Sequence, residues 1–201
     1  NHSKIEIIPC GIEINRSRVL KPYSEDFIVI ARHDKHKNLE YLIKAIAKFH
    51  TNQPNWKGVL RIVSEFGPLT KRLNKIIDNY QLHKKVYLIE NIDPIELINL
   101  VRKSFVLIAP SLEEGFDYPI LEAKAEGIPT LISDIKVHRE FHENTSLFFS
   151  IDNGPLPFCF MLNSILKDNS LWSELSSGGY KLAQEMTVKK QADHILNTLN
   201  D

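Results

Sequence analysis

Two carboxylates, Glu114 and Glu122, bracket the segment Glu113-Glu114-Gly115-Phe116-Asp117-Tyr118-Pro119-Ile120-Leu121-Glu122. The apolar run Phe105 to Ala109 just before it reads as a strand covered on both faces. Pro119 suits the first turn of a helix, where its missing N–H would have no partner anyway. Glu114 then falls in a glycine-containing loop, and Glu122 falls near the first turn of that helix. A carboxylate accepts hydrogen bonds in pairs and matches a vicinal diol, such as a ribose 2′,3′-diol. The N–H groups of Gly115 and Phe116 are free in such a loop to face an anion or a sugar. Acidic residues also favour helix N-termini for electrostatic reasons, so spacing alone leaves both readings open. A glycosidase acid/base pair is a third reading. It needs carboxylates on opposite sides of a scissile bond, and the loop order favours a nucleotide over it.

Two cations, Arg32 and Lys37, stand at either end of the loop Arg32-His33-Asp34-Lys35-His36-Lys37, which follows the apolar run Phe27 to Ala31. Beside a helix N-terminus such a pair can clamp a phosphate or diphosphate. The same run also reads as a solvated basic loop. Ser64-Glu65-Phe66-Gly67-Pro68 follows the next strand, and Gly67 there lets backbone approach a ligand or simply builds the turn. No G-x-G-x-x-G and no G-x-x-x-x-G-K-[ST] occurs, so neither a nicotinamide dehydrogenase nor a P-loop NTPase has support. No G-x-S-x-G is present. His33 and His36 read as loop residues. His138 and His142 are spaced as a metal pair on a helix, but nothing around them completes a ligand set, so no metal is expected.

The elements that must position these groups alternate. Strands are predicted at Phe27–Ala31, Val59–Val63, Val86–Ile89, Phe105–Ala109, Thr130–Ser133 and Leu147–Ser150. Between them apolar residues recur at helical spacing, as in Leu39, Leu42, Ile43, Ile46 and Phe49, with Asn38 as the expected N-cap. Asp93-Pro94-Ile95-Glu96 has the order of a capping box with proline at the first helical position. This βαβα order predicts an α/β fold, a doubly wound, mostly parallel, Rossmann-like sheet. The last fifty or so residues read as helices, with Gly178-Gly179 marking a break between two of them. Residues 1–22 read as a linker with an extended lead-in strand from Ile5 to Pro9 and a polar end at Lys21-Pro22. Residues 23–201 read as the domain.

Composition narrows the function. The 201 residues carry 25 Lys plus Arg and 25 Asp plus Glu, a formal net charge of zero. Nucleic-acid binding needs excess positive charge to neutralise phosphates, so no nucleic-acid partner is expected. Cys10 and Cys159 are the only cysteines and lack metal-ligand spacing. With no signal peptide and no transmembrane segment in view, a reducing, cytoplasmic setting is expected.

The residues then combine into a pattern. Ala31-Arg32 with Lys37-Asn38 resembles the G-R-x-x-x-x-K-N loop of retaining nucleotide-sugar glycosyltransferases built from two Rossmann-like domains, the GT-B group 1 or family 4 enzymes. Phe66-Gly67-Pro68 resembles the end of their G-x-G-P turn, with Glu65 at the usual first glycine. Glu114 to Glu122 matches their E-x-seven-E motif, and Glu122-Ala123 through Gly127-Ile128-Pro129-Thr130 resembles E-A-x-A-x-G-x-P-V. Ser133-Asp134-Ile135 with Val137-His138-Arg139-Glu140 resembles S-D-I-P-V-H-R-E of the branch that builds bacterial surface polysaccharides. Ile8-Pro9-Cys10-Gly11-Ile12 resembles I-P-N-G-V at the start of the second domain.

The resemblance implies the C-terminal, donor-binding half of such an enzyme, with the N-terminal acceptor half missing. Arg32 and Lys37 would hold and stabilise the diphosphate leaving group, and Glu114 would face the donor sugar, which makes these three the implied catalytic residues. Gly67, Ile92, Gly115, Phe116 and Glu122 would bind the donor, Glu122 at the ribose and Ile92 near the base. No metal and no cofactor would be needed. The partners implied are a nucleoside diphosphate sugar and a saccharide or lipid-linked acceptor, met in the cytoplasm or at its membrane face. The chain alone would bind nucleotide and transfer little. Asp117 stands where the family has glycine, Cys10 replaces an asparagine, and Lys136 replaces a proline. A sugar-nucleotide epimerase or hydrolase, and a non-catalytic module that has kept the fold, are the alternatives.

Overall fold

Six parallel strands form one sheet in the order β3-β2-β1-β4-β5-β6 in the computed structural model, which describes residues 7–14, 17–20 and 24–200. The strands are β1 (Phe27–Ile30), β2 (Leu60–Val63), β3 (Val86–Ile89), β4 (Val106–Ala109), β5 (Thr130–Ser133) and β6 (Leu147–Phe149). The crossovers are α1 (Leu39–Asn52), α2 (Thr70–Asn79), α3 (Pro94–Lys103), α4 (Tyr118–Ala125) and α5 (Lys136–His142). Three helices close the chain: α6 (Leu156–Lys167), α7 (Asn169–Glu185) and α8 (Val188–Asn200). This is the expected doubly wound, Rossmann-like arrangement. The strand order reverses between β1 and β4, and ligands of such sheets bind at that reversal, outside the carboxyl ends of the strands.

Alternate strand residues feed two cores, because successive side chains leave opposite faces of a strand. Phe27, Val29, Leu60, Ile62, Val106 and Ile108 join the stripes of α1, α2 and α6 on one face. Ile28, Val63, Leu107, Ala109 and Ile132 join Val101 of α3 and Ile120 and Ala123 of α4 on the other. Burial on both faces is why the strands read as continuous apolar runs.

Two local expectations are corrected and one holds. Asn38 sits at the N-cap of α1 but caps nothing with its side chain; it adopts φ 54°, and its N–H closes a 3-10 turn on the Lys35 carbonyl. Asp93 does cap α3, accepting from the N–H groups of Ile95 and Glu96 at 2.9 and 3.0 Å. Gly178-Gly179 breaks no helix, since both lie inside α7. A Cβ on Gly179 would stand 2.9 Å from Cγ of Lys124 in α4, so a glycine is there to let two helices approach.

Of the expected lead-in strand, residues 7–9 form no strand and the rest lies outside the described residues, as do Lys21 and Pro22. What is described of residues 1–22 is bound to the domain. Ile12 bridges Thr187 between α7 and α8, its N–H donating to the Met186 carbonyl at 3.0 Å. The Val19 N–H donates to the Glu126 carbonyl at 2.9 Å.

Candidate functional site

The loops after β1 and β4 meet at the sheet reversal. The N–H of Leu112 donates to the carbonyl of His36 at 2.8 Å and ties one loop to the other. That bond carries Lys37 to Glu114, and the ammonium forms an ion pair with the carboxylate. Their side chains are 17% and 9% exposed, so this pair is largely withdrawn from water. Beyond Glu114 the loop opens. A Cβ built on Gly115 would touch nothing within 4 Å. The N–H groups of Gly115 and Phe116 have no hydrogen-bond partner among the described residues. The Phe116 ring packs on Phe141 at 5.1 Å and on Tyr118 at 5.2 Å, which anchors the loop.

Glu122 lies on the wall of a groove of about 480 Å³, formed by the end of β1, one side of α3, one side of α4 along its length and the segment from Gly11 to Glu13. This volume is in the range of small-molecule sites. The walls are mainly apolar, with Ile30, Leu97 and Val101 across from the carboxylate. Glu122 is held above its ordinary value, first by this desolvation and second by the Asp117 charge. It occupies the fifth position of α4 rather than its first turn, whose residues include no acid. The helix-end explanation for Glu122 therefore drops out.

Lys37, Asp117, Pro119 and Ile30 border a much smaller hollow between β1 and β4. Ile30 lines both spaces, so Lys37 and Glu122 border adjoining spaces, with Glu114 reaching them through its ion pair with Lys37. Arg32 does not join them here. Its side chain is 60% exposed, lies 3.5 Å from Asp34 and lines neither space. Gly67 has its N–H committed to the Thr70 hydroxyl at 2.9 Å, and its missing Cβ lets the His33 carbonyl approach. Ile92 is half-buried against the second core, below the groove rather than on its wall.

Three of the histidines are buried within the fold. His33 is fully buried, with Nδ1 2.8 Å from the Thr70 hydroxyl; burial lowers its pKa, and it ties the β1 loop to α2. His138 Nδ1 is 2.8 Å from the Ser133 carbonyl, and its Nε2 is 3.4 Å from Asp117. His142 Nδ1 is 3.2 Å from the ammonium nitrogen of the buried Lys124. Burial pushes Lys124 well below its ordinary value. The sequence reading missed Lys124, the His138–Asp117 contact and the groove wall supplied by α3. Only the cap at Asp93 signalled that α3 begins at this edge.

The family model described as "Glycosyl transferases group 1" matches residues 12–181. The chain belongs to the group 1 glycosyltransferases. It is 26% identical over 144 residues to the O-antigen chain mannosyltransferase RfbU of Salmonella typhimurium, covering 70% of this chain and 39% of that protein. It is 32% identical over 131 residues to glycosyltransferase 1 domain-containing protein 1 of Xenopus tropicalis, covering 62% and 36%. The chain thus spans less than half the length of these curated relatives. The fold is shared with S. aureus TarM, at TM-score 0.82, 16% identity and 95% coverage of this chain against 38% of that one. It is also shared with the C-terminal domain of LpcC from Francisella tularensis, at TM-score 0.70 and 20% identity, covering 85% and 97%. No described helix of this glycosyltransferase domain is long and apolar enough to cross a membrane.

Proposed function

We propose that this domain is the donor-binding half of a retaining glycosyltransferase and takes a nucleoside diphosphate sugar along the carboxyl edge of β1 and β4. One observation carries the reading. Glu122 lines a groove of ligand size, Lys37 borders a small hollow that shares Ile30 with it, and Lys37 pairs with Glu114 in the loop that carries the unpartnered amides of Gly115 and Phe116. Glu122 accepts from the ribose hydroxyls, and the apolar wall beyond it receives the base, with Ile92 supporting that wall from below. Lys37 takes the diphosphate by sharing its charge between Glu114 and the phosphate oxygens. Arg32 leaves its exposed contact with Asp34 to join it. Two cations and the loop amides stabilise the departing diphosphate, the work a metal does in other transferases. Glu114, freed in part from Lys37, faces the sugar. Gly67 shapes the turn that holds His33 and the β1 loop in place.

The complete enzyme passes the sugar to a saccharide or lipid-linked acceptor held by an N-terminal half, in surface polysaccharide synthesis at the cytoplasmic membrane face. The relatives named O-antigen chain mannosyltransferase and serotype-specific mannosyltransferase favour this setting. Calorimetric titration of this chain with UDP, GDP, ADP and CDP tests the binding claim. No heat for any of them at millimolar concentration overturns it. Glu122→Ala is expected to weaken the diphosphate that binds by about 1.5–3 kcal/mol, the scale of a charged hydrogen bond. An unchanged affinity would remove Glu122 from the site.

A further inference from the structure

Asp117 stands where the resemblance puts a glycine, and the fold gives it a partner. It precedes α4 with φ 64°, in the left-handed region where glycine is the unstrained residue. Its side chain is only 4% exposed. It borders the hollow that also takes in Lys37, and its charge reaches Glu122. An uncompensated carboxylate buried there opposes any anion bound beside it.

His138 compensates it. The ring is fully buried, with Nε2 3.4 Å from Asp117 Oδ2. Hydrogen bonding on the other side of the ring assigns the protons. Nδ1 lies 2.8 Å from the Ser133 carbonyl, which only accepts. It lies 3.3 Å from the Ser133 hydroxyl, whose own hydrogen goes to the Ser111 carbonyl at 2.6 Å. Nδ1 therefore carries a hydrogen. A bare Nε2 would then aim a lone pair at a carboxylate, so the contact holds one further proton between Nε2 and Oδ2, and the buried pair as a whole carries no net charge. The register makes this possible: Ser133 ends β5, next to β4 in the sheet, and the first turn of α5 returns His138 over the start of α4.

We infer that His138 is a positioning residue of the donor site, which cancels the Asp117 charge, fixes Asp117 at the head of α4, and so sets the affinity for the diphosphate part of the donor. This inference rests on the donor-binding reading above. It assigns His138 no contact with the ligand. It also accounts for an acid at a glycine position: the substitution is tolerated because His138 completes a buried pair with no net charge.

Calorimetry with UDP, GDP, ADP and CDP beside their nucleosides tests it on wild type, His138→Gln, Asp117→Asn and the double variant Asp117→Gly/His138→Gln. Loss of His138 should weaken the diphosphate roughly tenfold or more and the nucleoside by less than about twofold. The double variant, which has neither charge, should return to within about threefold of wild type. If His138→Gln fails to fold, Asp117→Asn decides, since with the carboxylate gone diphosphate affinity should hold within about twofold. Four results overturn the inference: His138→Gln binding the diphosphate like wild type; equal loss for diphosphate and nucleoside; a folded double variant that is not rescued; or a tenfold loss in Asp117→Asn. A wild-type chain that binds no diphosphate overturns the donor-binding reading with it, whereas wild-type binding with an unchanged His138→Gln overturns this inference alone.

Discussion

Acid should loosen this domain through one residue, His142. Its side chain is fully buried at the end of α5, Nε2 has no hydrogen-bond partner, and Nδ1 faces the Lys124 nitrogen at 3.2 Å. Burial first, then the charges of Lys124 and His138, push its pKa from 6.5 down to about 2. The unfolded chain takes a proton at His142 below the ordinary value, and the folded chain refuses it until near the depressed one. The folded state thus binds fewer protons through that window, and its stability falls as pH falls. Each pH unit well below 6.5 removes ~1.4 kcal/mol, and the step from about pH 6.5, where the unfolded group is half protonated, to about pH 4.5 removes ~2.3 kcal/mol. Against a typical domain stability of about 5–15 kcal/mol that is a large share. The assay is urea unfolding across this range for wild type and His142→Gln, whose amide oxygen can still accept from Lys124. Asp and Glu titrate in both proteins, so they cancel in the difference between the two curves. The wild-type curve should fall more steeply with acid, by about one proton's slope. Parallel curves would refute the argument, because they would mean that His142 is protonated inside the fold at little expense.

Further predictions concern packing and caps. Gly179→Ala puts a methyl 2.9 Å from Lys124 Cγ, where neither helix has room. Overpacking of this kind is expected to destabilise by about 1–3 kcal/mol and to lower the melting temperature measurably; an unchanged midpoint would mean that α4 and α7 slide apart freely. Asp93→Ala removes both side-chain bonds to the first turn of α3, with an expected loss of about 1 kcal/mol in chemical denaturation. A loss below about 0.3 kcal/mol would show that water replaces this cap fully.

The strands were legible because burial on both faces demands apolar residues along most of each central strand. β3 and β5 begin and end where the sequence places them, and β1, β2, β4 and β6 each lose one terminal residue. Asn38 misled because a residue type that caps helices also tolerates the left-handed region, and here it uses the second property. Gly178-Gly179 misled because glycine signals either backbone freedom or closeness to a neighbour, and no local pattern separates the two. Lys124 looked like an ordinary charged residue on a short helix. Its burial follows from α7 covering α4, which nothing near Lys124 in the sequence announces.

The sequence by itself determined the alternation of strands and crossovers, the acidic segment that opens α4, and the residue types able to meet a diphosphate and a sugar. Those are local facts, set by side-chain period, proline and glycine, and they survive without knowing what lies across the sheet. The tertiary structure alone decided that Lys37 meets Glu114, that Arg32 stays outside, and that His138 stands behind Asp117. Each of these depends on strands adding in parallel on both sides of β1, which brings together loops far apart in the chain. Burial there then sets which charges must be paired and which can face a ligand.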